Sequence, residues 1–253
     1  MKLHVHAWGP ADAQTVVCLH GVTGHGERFK RLATERWTRF HVLAPDLRGH
    51  GRSDWEPPWT LATHVDDLVE TFGPLGPVDW VGHSFGGRLI LELAAREPAL
   101  VRRVVLLDPA IELLPHVAGF VADYERRDPV YDSIEDLRSS RDETTRDDLF
   151  TEDVEQHCEV LPDGRLRRRT SQPAMVSIFG ELAAAPPPPE TLQAPTLLLY
   201  APAYGLVREE QLAAYAHCEQ LAVPGMHMVI WDAFDEIVDA VPQFLLQDAS
   251  AER

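Results

Sequence analysis

The stretch Val78-Asp79-Trp80-Val81-Gly82-His83-Ser84-Phe85-Gly86-Gly87-Arg88-Leu89-Ile90-Leu91-Glu92-Leu93-Ala94-Ala95 decides the fold. Val78–Val81 is an apolar run of strand length, and Arg88–Ala95 has a helical pattern. Between them lies Gly82-His83-Ser84-Phe85-Gly86, a G-x-S-x-G turn, or elbow. A chain that leaves a strand and enters a helix within so few residues must turn sharply. Side chains at 82 and 86 would clash in that turn, which is why both positions are glycine. The turn holds Ser84 at the end of the sheet, with a helix N-terminus beneath it. That terminus offers unpaired N–H groups and the positive end of a dipole.

Working outward, short β-rich runs alternate with longer helical patterns. The strands expected are Leu3–Trp8, Thr15–Leu19, His41–Ala44, Val78–Val81, Val104–Leu107, Thr196–Tyr200 and Gln220–Val223. The helices expected are Arg28–Thr38, Leu61–Thr71, Phe85–Glu97, Glu209–Ala216 and Phe234–Leu246. Most of the later strands are continuously apolar, as in a sheet covered on both faces. The pattern predicts an α/β fold with a mostly parallel central sheet flanked by helices. The alternation fails between residues 111 and 190, a charge-rich stretch read as an inserted helical cap on a core formed by 1–110 and 191–253. Charged runs at 123–128 and 141–148 lie within it, and Pro186–Pro189 close it as a stiff connector. Arg165, Arg167, Arg168 and Arg169 follow the turn signal Pro162-Asp163-Gly164 and are expected on a solvated face neutralised by nearby acids, with recognition of an anionic substrate group as the alternative.

Composition narrows the function classes. The 253 residues are 45% hydrophobic and 25% charged, and the formal net charge is −17, which disfavours nucleic acid and anionic membrane surfaces as partners. The three cysteines Cys18, Cys158 and Cys218 are too few and too far apart for a disulfide framework or a metal cluster. The first residues, Met1-Lys2-Leu3-His4-Val5-His6, carry no apolar signal core, and no run reaches the ~20 apolar residues of a bilayer span. A cytoplasmic protein with no membrane partner, no metal and no cofactor is expected.

Ser84 needs a base. Of twelve histidines, His227 is best placed, in Val223-Pro224-Gly225-Met226-His227-Met228, after the last strand and on the same sheet edge as Ser84. His83 adjoins the serine but points elsewhere, and His20 ends another strand. His20-Gly21 follows Thr15–Leu19 and opens a loop that presents the Val22 N–H, expected to form an oxyanion hole with the Phe85 N–H.

These segments, with Pro45-Asp46-Leu47-Arg48-Gly49-His50-Gly51-Arg52-Ser53, resemble the serine hydrolases of the α/β-hydrolase fold. The resemblance spans nearly the whole chain outside 111–190, where that family carries its cap. It implies that Asp46 and Arg52 brace the turn near the oxyanion loop. It also implies a triad acid just past Thr196–Tyr200, and here the sequence departs from the pattern. No carboxylate lies between Leu192 and Glu209, and Tyr204 stands at about the usual place. Asp108, at the end of Val104–Leu107, is the best substitute, at a strand end where one branch of the fold keeps its acid. Glu209, Asp232 and Asp235 are less well placed, and a Ser–His dyad without an acid is the remaining arrangement.

The resemblance implies a serine hydrolase of carboxylic esters, acting through an acyl-enzyme on Ser84. Lactone or carbon–carbon bond hydrolysis by the same residues is an alternative, as is ligand binding without turnover. An aspartate nucleophile, as in dehalogenases and epoxide hydrolases, is absent from the elbow. Candidate substrate-binding residues are His25, Trp55, Phe120, Tyr124, Phe179 and Met226, with Trp59, Phe85 and Met175 as further candidate lining residues. Their apolar, aromatic character suggests a hydrophobic small-molecule ester.

Overall fold

The computed structural model describes residues 1–127, 130–139 and 147–247. The chain opens with strands β1 (Val5–Trp8), β2 (Thr15–Leu19) and β3 (His41–Pro45). Helix α1 (Leu61–Phe72), strand β4 (Val78–His83), helix α2 (Phe85–Arg96) and strand β5 (Val101–Leu107) follow. The segment 111–190 holds α3 (Pro115–Glu125), β6 (Val130–Tyr131), α4 (Ile134–Ser139), α5 (Asp147–His157), β7 (Cys158–Val160), β8 (Leu166–Arg168) and α6 (Gln172–Glu181). The chain then returns through β9 (Thr196–Tyr200), α7 (Glu209–Ala214), β10 (Glu219–Ala222), α8 (Val229–Asp232) and α9 (Phe234–Leu245).

Seven strands form the main sheet in the order β1-β3-β2-β4-β5-β9-β10. Only β1 runs antiparallel to its neighbour; every other pairing in this sheet is parallel. The reason lies in the alternation along each strand. Val17, Leu19, Trp80, Val104, Leu106 and Leu198 pack into one core with residues of α1 and α2. Their neighbours Val16, Cys18, Val81, Val105, Leu197 and Leu199 pack into a second core with residues of α9. Both faces are covered, so the strands read as unbroken apolar runs. Among the described residues no helix is long and apolar enough to cross a membrane.

Two expectations need correction. The helix expected over Arg28–Thr38 is instead a short 3-10 turn, Gly26–Phe29, and a π turn, Leu32–Arg36, closed by the Trp37 N–H on the Leu32 carbonyl at 2.8 Å. The stretch 111–190 is not wholly helical: β6, β8 and β7 make a three-stranded antiparallel sheet. The turn signal Pro162-Asp163-Gly164 is real, with Gly164 at φ 86°, and it joins β7 to β8. The flanking strands have three residues each, too few to show a period of two in the sequence. Three of the four clustered arginines pair with acids, Arg168 in the interior rather than on a solvated face. Arg165 pairs with Asp163, Arg167 with Glu159, and the buried Arg168 with Glu125 at 2.8 Å. Asp128 and residues 141–146 of the charged runs lie outside the described residues.

The 111–190 segment is tied to the sheet by buried polar contacts. Asp153 of α5 accepts a fork from Arg28, at 2.6 and 2.9 Å, and contacts His25 Nε2 at 2.8 Å. The Ser171 N–H donates to the Gly49 carbonyl and the Gly51 N–H to the Arg169 carbonyl. Charge-assisted and fully paired, the Asp153 cluster is of the kind that costs several kcal/mol to break from one side, about 3–5.

Buried histidines make this interior sensitive to acid. Burial pushes His50 down to about 4 and His64 down to about 3, and holds His20, His83 and His157 well below the ordinary imidazole range. His50 and His64 therefore stay neutral in the fold at pH 5, while the unfolded chain protonates them below about pH 6.5. Stability is full above that pH and falls by roughly 1 kcal/mol per histidine per pH unit as pH drops toward 4. Urea denaturation should show a clearly lower midpoint at pH 5 than at pH 7.5. His64→Leu should narrow the gap, because both His64 ring nitrogens are buried without a partner. Equal midpoints at the two pH values would contradict the buried, neutral state of these rings.

Candidate active site

Ser84 sits between β4 and α2 at φ 53° and ψ −115°, a conformation L-residues rarely adopt. Its backbone is pinned on both sides: its N–H donates to the Leu107 carbonyl, and its carbonyl accepts from Arg88 and Ala110. The flanking glycines are obligatory. A Cβ at Gly82 would lie 2.6 Å from the Gly86 backbone, and one at Gly86 would lie 2.3 Å from the Leu19 carbonyl oxygen. The strain at Ser84 is thus held by its surroundings, and it leaves the hydroxyl clear of the sheet.

His227 lies on the loop between β10 and α8. Its Nε2 is 2.9 Å from Ser84 Oγ and its Nδ1 is 2.7 Å from Asp108 Oδ2. Asp108 follows β5 at φ 42° and is fully buried. Its N–H donates to the Leu199 carbonyl, and its Oδ1 accepts the Ala201 N–H at 3.1 Å. The carboxylate can only accept, so His227 carries its proton on Nδ1. Nε2 is left as the acceptor facing the serine hydroxyl.

The His227 loop is itself held in place. Buried and neutral, His83 donates its Nε2–H to the His227 carbonyl at 2.8 Å. The Met226 N–H donates to Asp232 at 2.8 Å. Tyr204, at the place where the family resemblance implies a carboxylate, stacks on the His227 ring with centroids 5.0 Å apart and planes 15° from parallel. It covers a face of the imidazole and leaves the Nδ1 edge to Asp108. Glu209 opens α7, while Asp232 is occupied by the Met226 amide, and Asp235 opens α9.

The loop expected to present the Val22 N–H has a clear internal support. The neutral His20 ring donates from Nδ1 to the Gly21 carbonyl at 2.8 Å and accepts the Leu47 N–H at Nε2 at 3.0 Å. Across a planar trans peptide the N–H points opposite to the carbonyl, so the Val22 N–H is directed away from His20. Val22 and Gly21 both line the cavity beside Ser84. Phe85 is the first residue of α2, so its N–H has no acceptor within the helix.

That cavity has a volume of about 200 Å³ and reaches Ser84 and His227. Its wall is mainly apolar, from Leu113, Val117, Val121, Phe179, Leu182 and Leu206, with Arg28 and Glu125 as the charged residues that reach it. Of the substrate-binding residues read from sequence, Phe179 lines it and five others do not. His25 is buried behind the wall, bonded to Asp153 and stacked on His157. Trp55 is exposed on its loop, and Phe120 is 75% exposed. Tyr124 lies against Arg127. On α3 the helical phase decides: Val117, Val121 and Glu125 face inward at steps of four, and Phe120 and Tyr124 are one residue out of phase. Met226 yields its place to Met228, two residues on. Trp59 lies against Gly49, and Met175 is core.

A family model described as "Alpha/beta hydrolase family" matches residues 16–240. The chain is 38% identical over 189 residues to Lipase LipV of Mycobacterium tuberculosis, covering 72% of each protein. It is 32% identical over 129 residues to a 3-hydroxybutyrate-oligomer hydrolase of Cupriavidus necator, covering 49% of this chain and 44% of that one. Among solved structures, E-2-(acetamidomethylene)succinate hydrolase superposes with a TM-score of 0.84 at 25% identity, covering 96% of this chain and 94% of that one.

Proposed function

The chain belongs to the alpha/beta hydrolase family, and on that premise we propose that it is a serine hydrolase of small carboxylic esters. The observation that carries the proposal is the unbroken hydrogen-bonded line from Ser84 through His227 to Asp108, at the end of an apolar cavity. Its likeness to a protein named a lipase supports the ester class.

In this reading Ser84 Oγ attacks the ester carbonyl while His227 Nε2 takes its proton. The carbonyl oxygen becomes an oxyanion held by the Val22 and Phe85 N–H groups at the head of α2. Asp108 stabilises the imidazolium. His227 then gives the proton to the leaving alcohol, and the acyl group remains on Ser84. Water, deprotonated by the same nitrogen, attacks the acyl carbon and frees the acid. An intact line of this kind favours turnover over passive ligand binding.

Cavity size bears on the substrate. The space beside Ser84 and His227 is about 200 Å³ and is lined mainly by aliphatic side chains and Phe179. That suits a short acyl chain with a small alcohol. With p-nitrophenyl acetate, butyrate and octanoate, kcat/KM should peak at butyrate or acetate and fall at least tenfold for octanoate. A rise from acetate through octanoate would reject the small-ester reading. No turnover of any of the three by folded protein would reject the esterase reading itself.

A further inference from the structure

His4 and His6 flank Val5 at the start of β1, so their side chains leave the same face of this edge strand. β1 runs antiparallel to β3, with His6 opposite Ala44 and Val5 opposite Pro45. The pairing continues one step further, since the Asp46 N–H donates to the His4 carbonyl at 2.9 Å. His4 and Asp46 therefore stand directly across from each other, with His6 diagonal to Asp46. One ring nitrogen from each histidine and one Asp46 oxygen lie within 4.8 Å of one another. None of the three lines the Ser84 cavity.

We propose that His4, His6 and Asp46 form a binding site for a first-row divalent cation, with Zn²⁺ as the best match. Two imidazoles and a carboxylate are the donor set this ion takes in tetrahedral sites, with a water in the fourth position. Bonds of 2.0–2.1 Å place neighbouring donors of a tetrahedron roughly 3.3 Å apart. His6 Nε2 and Asp46 Oδ1 are already 3.2 Å apart. The carboxylate is fixed from behind, with the Gly26 N–H on Oδ1 at 2.8 Å and the Arg52 N–H on Oδ2 at 2.9 Å. The second nitrogen of His6, Nδ1, faces Glu27 Oε1 at 3.9 Å, beyond hydrogen-bond distance but on the side where a metal-bound imidazole takes an outer carboxylate. The His4 ring nitrogens make no hydrogen bond among the described residues, so this ring is the one that can turn to close the gap. His4 and His6 are half-buried, which leaves a path for the ion, while Asp46 is buried.

Asp46 also holds Gly26, so the ion would join the edge strand, the end of β3 and the loop carrying His25 and Arg28. Its effect is on stability, through mass action on the folded state, and independent of the ester reading. The test is calorimetric titration of the full chain with ZnCl₂ at pH 7.5, beside thermal melts with and without the ion. His4→Gln is the informative variant, because no hydrogen bond of its ring is lost. Wild type should bind one Zn²⁺ with a micromolar Kd and melt several degrees higher at saturating ion. His4→Gln should melt like metal-free wild type and bind at least tenfold more weakly. Absence of binding to wild type, or equal binding to His4→Gln, would overturn the site.

Discussion

Replacing Ser84 with alanine is expected to lower kcat on p-nitrophenyl butyrate by roughly 10⁶-fold. Among the described residues the hydroxyl is the only nucleophile that His227 Nε2 touches, at 2.9 Å. Without it, a water would have to find the same place unaided. What remains is transition-state stabilisation by the oxyanion donors and the apolar wall, worth about 10³–10⁴ over the reaction in water. The variant should fold, because the backbone bonds from Ser84 to Leu107, Arg88 and Ala110 do not involve the side chain. Alanine keeps a Cβ at φ 53°, and so keeps the strain. Ser84→Gly should release it and raise stability by about 1–2 kcal/mol over Ser84→Ala, a few degrees in Tm. Turnover by Ser84→Ala within tenfold of wild type would remove Ser84 from the chemistry. A glycine variant no more stable than the alanine one would remove the strain argument.

The contrast between what the sequence disclosed and what it hid follows from range. The elbow is local: two glycines, a serine, an apolar run and a helical run lie within eighteen consecutive residues, so its meaning does not depend on distant partners. The strands were legible because burial on both faces makes them apolar throughout. Asp108 emerged from a gap, the absence of any carboxylate from Leu192 to Arg208, combined with its place at a strand end. The cavity wall was not legible. Phe120 and Val121 are adjacent and both apolar, and only the rotation of α3 against the core sends one outward and one inward. The sheet within 111–190 was hidden because its strands are two or three residues long. The His4–His6 pair is visible as His-x-His, but its approach to Asp46 depends on the antiparallel pairing of β1 with β3 across forty residues.

Asp108→Asn should reduce kcat about 10⁴-fold with KM little changed. The argument is one of hydrogen-bond direction. Asp108 accepts two N–H groups, from Ala201 on Oδ1 at 3.1 Å and from His227 Nδ1 on Oδ2 at 2.7 Å. Asparagine has one acceptor and one donor to set against them. The Ala201 amide can only donate, so the asparagine oxygen turns to it and the NH₂ group faces His227. Nδ1 must then accept, and the imidazole proton moves to Nε2. The ring now presents an N–H to Ser84 and cannot take the serine proton. The negative charge that stabilises the imidazolium is gone as well. Raising the pH does not restore it, because the amide does not ionise. KM is spared because Asp108 does not line the cavity. Folding is spared because asparagine is among the residues that tolerate the φ of 42° found here. Fluorophosphonate labelling of Ser84 should slow in parallel with kcat, since both need the serine deprotonated. If Asp108→Asn keeps turnover within tenfold of wild type, Asp108 only orients the loop. The reaction would then run on a Ser84–His227 dyad whose imidazolium is covered by Tyr204 and stabilised by no carboxylate.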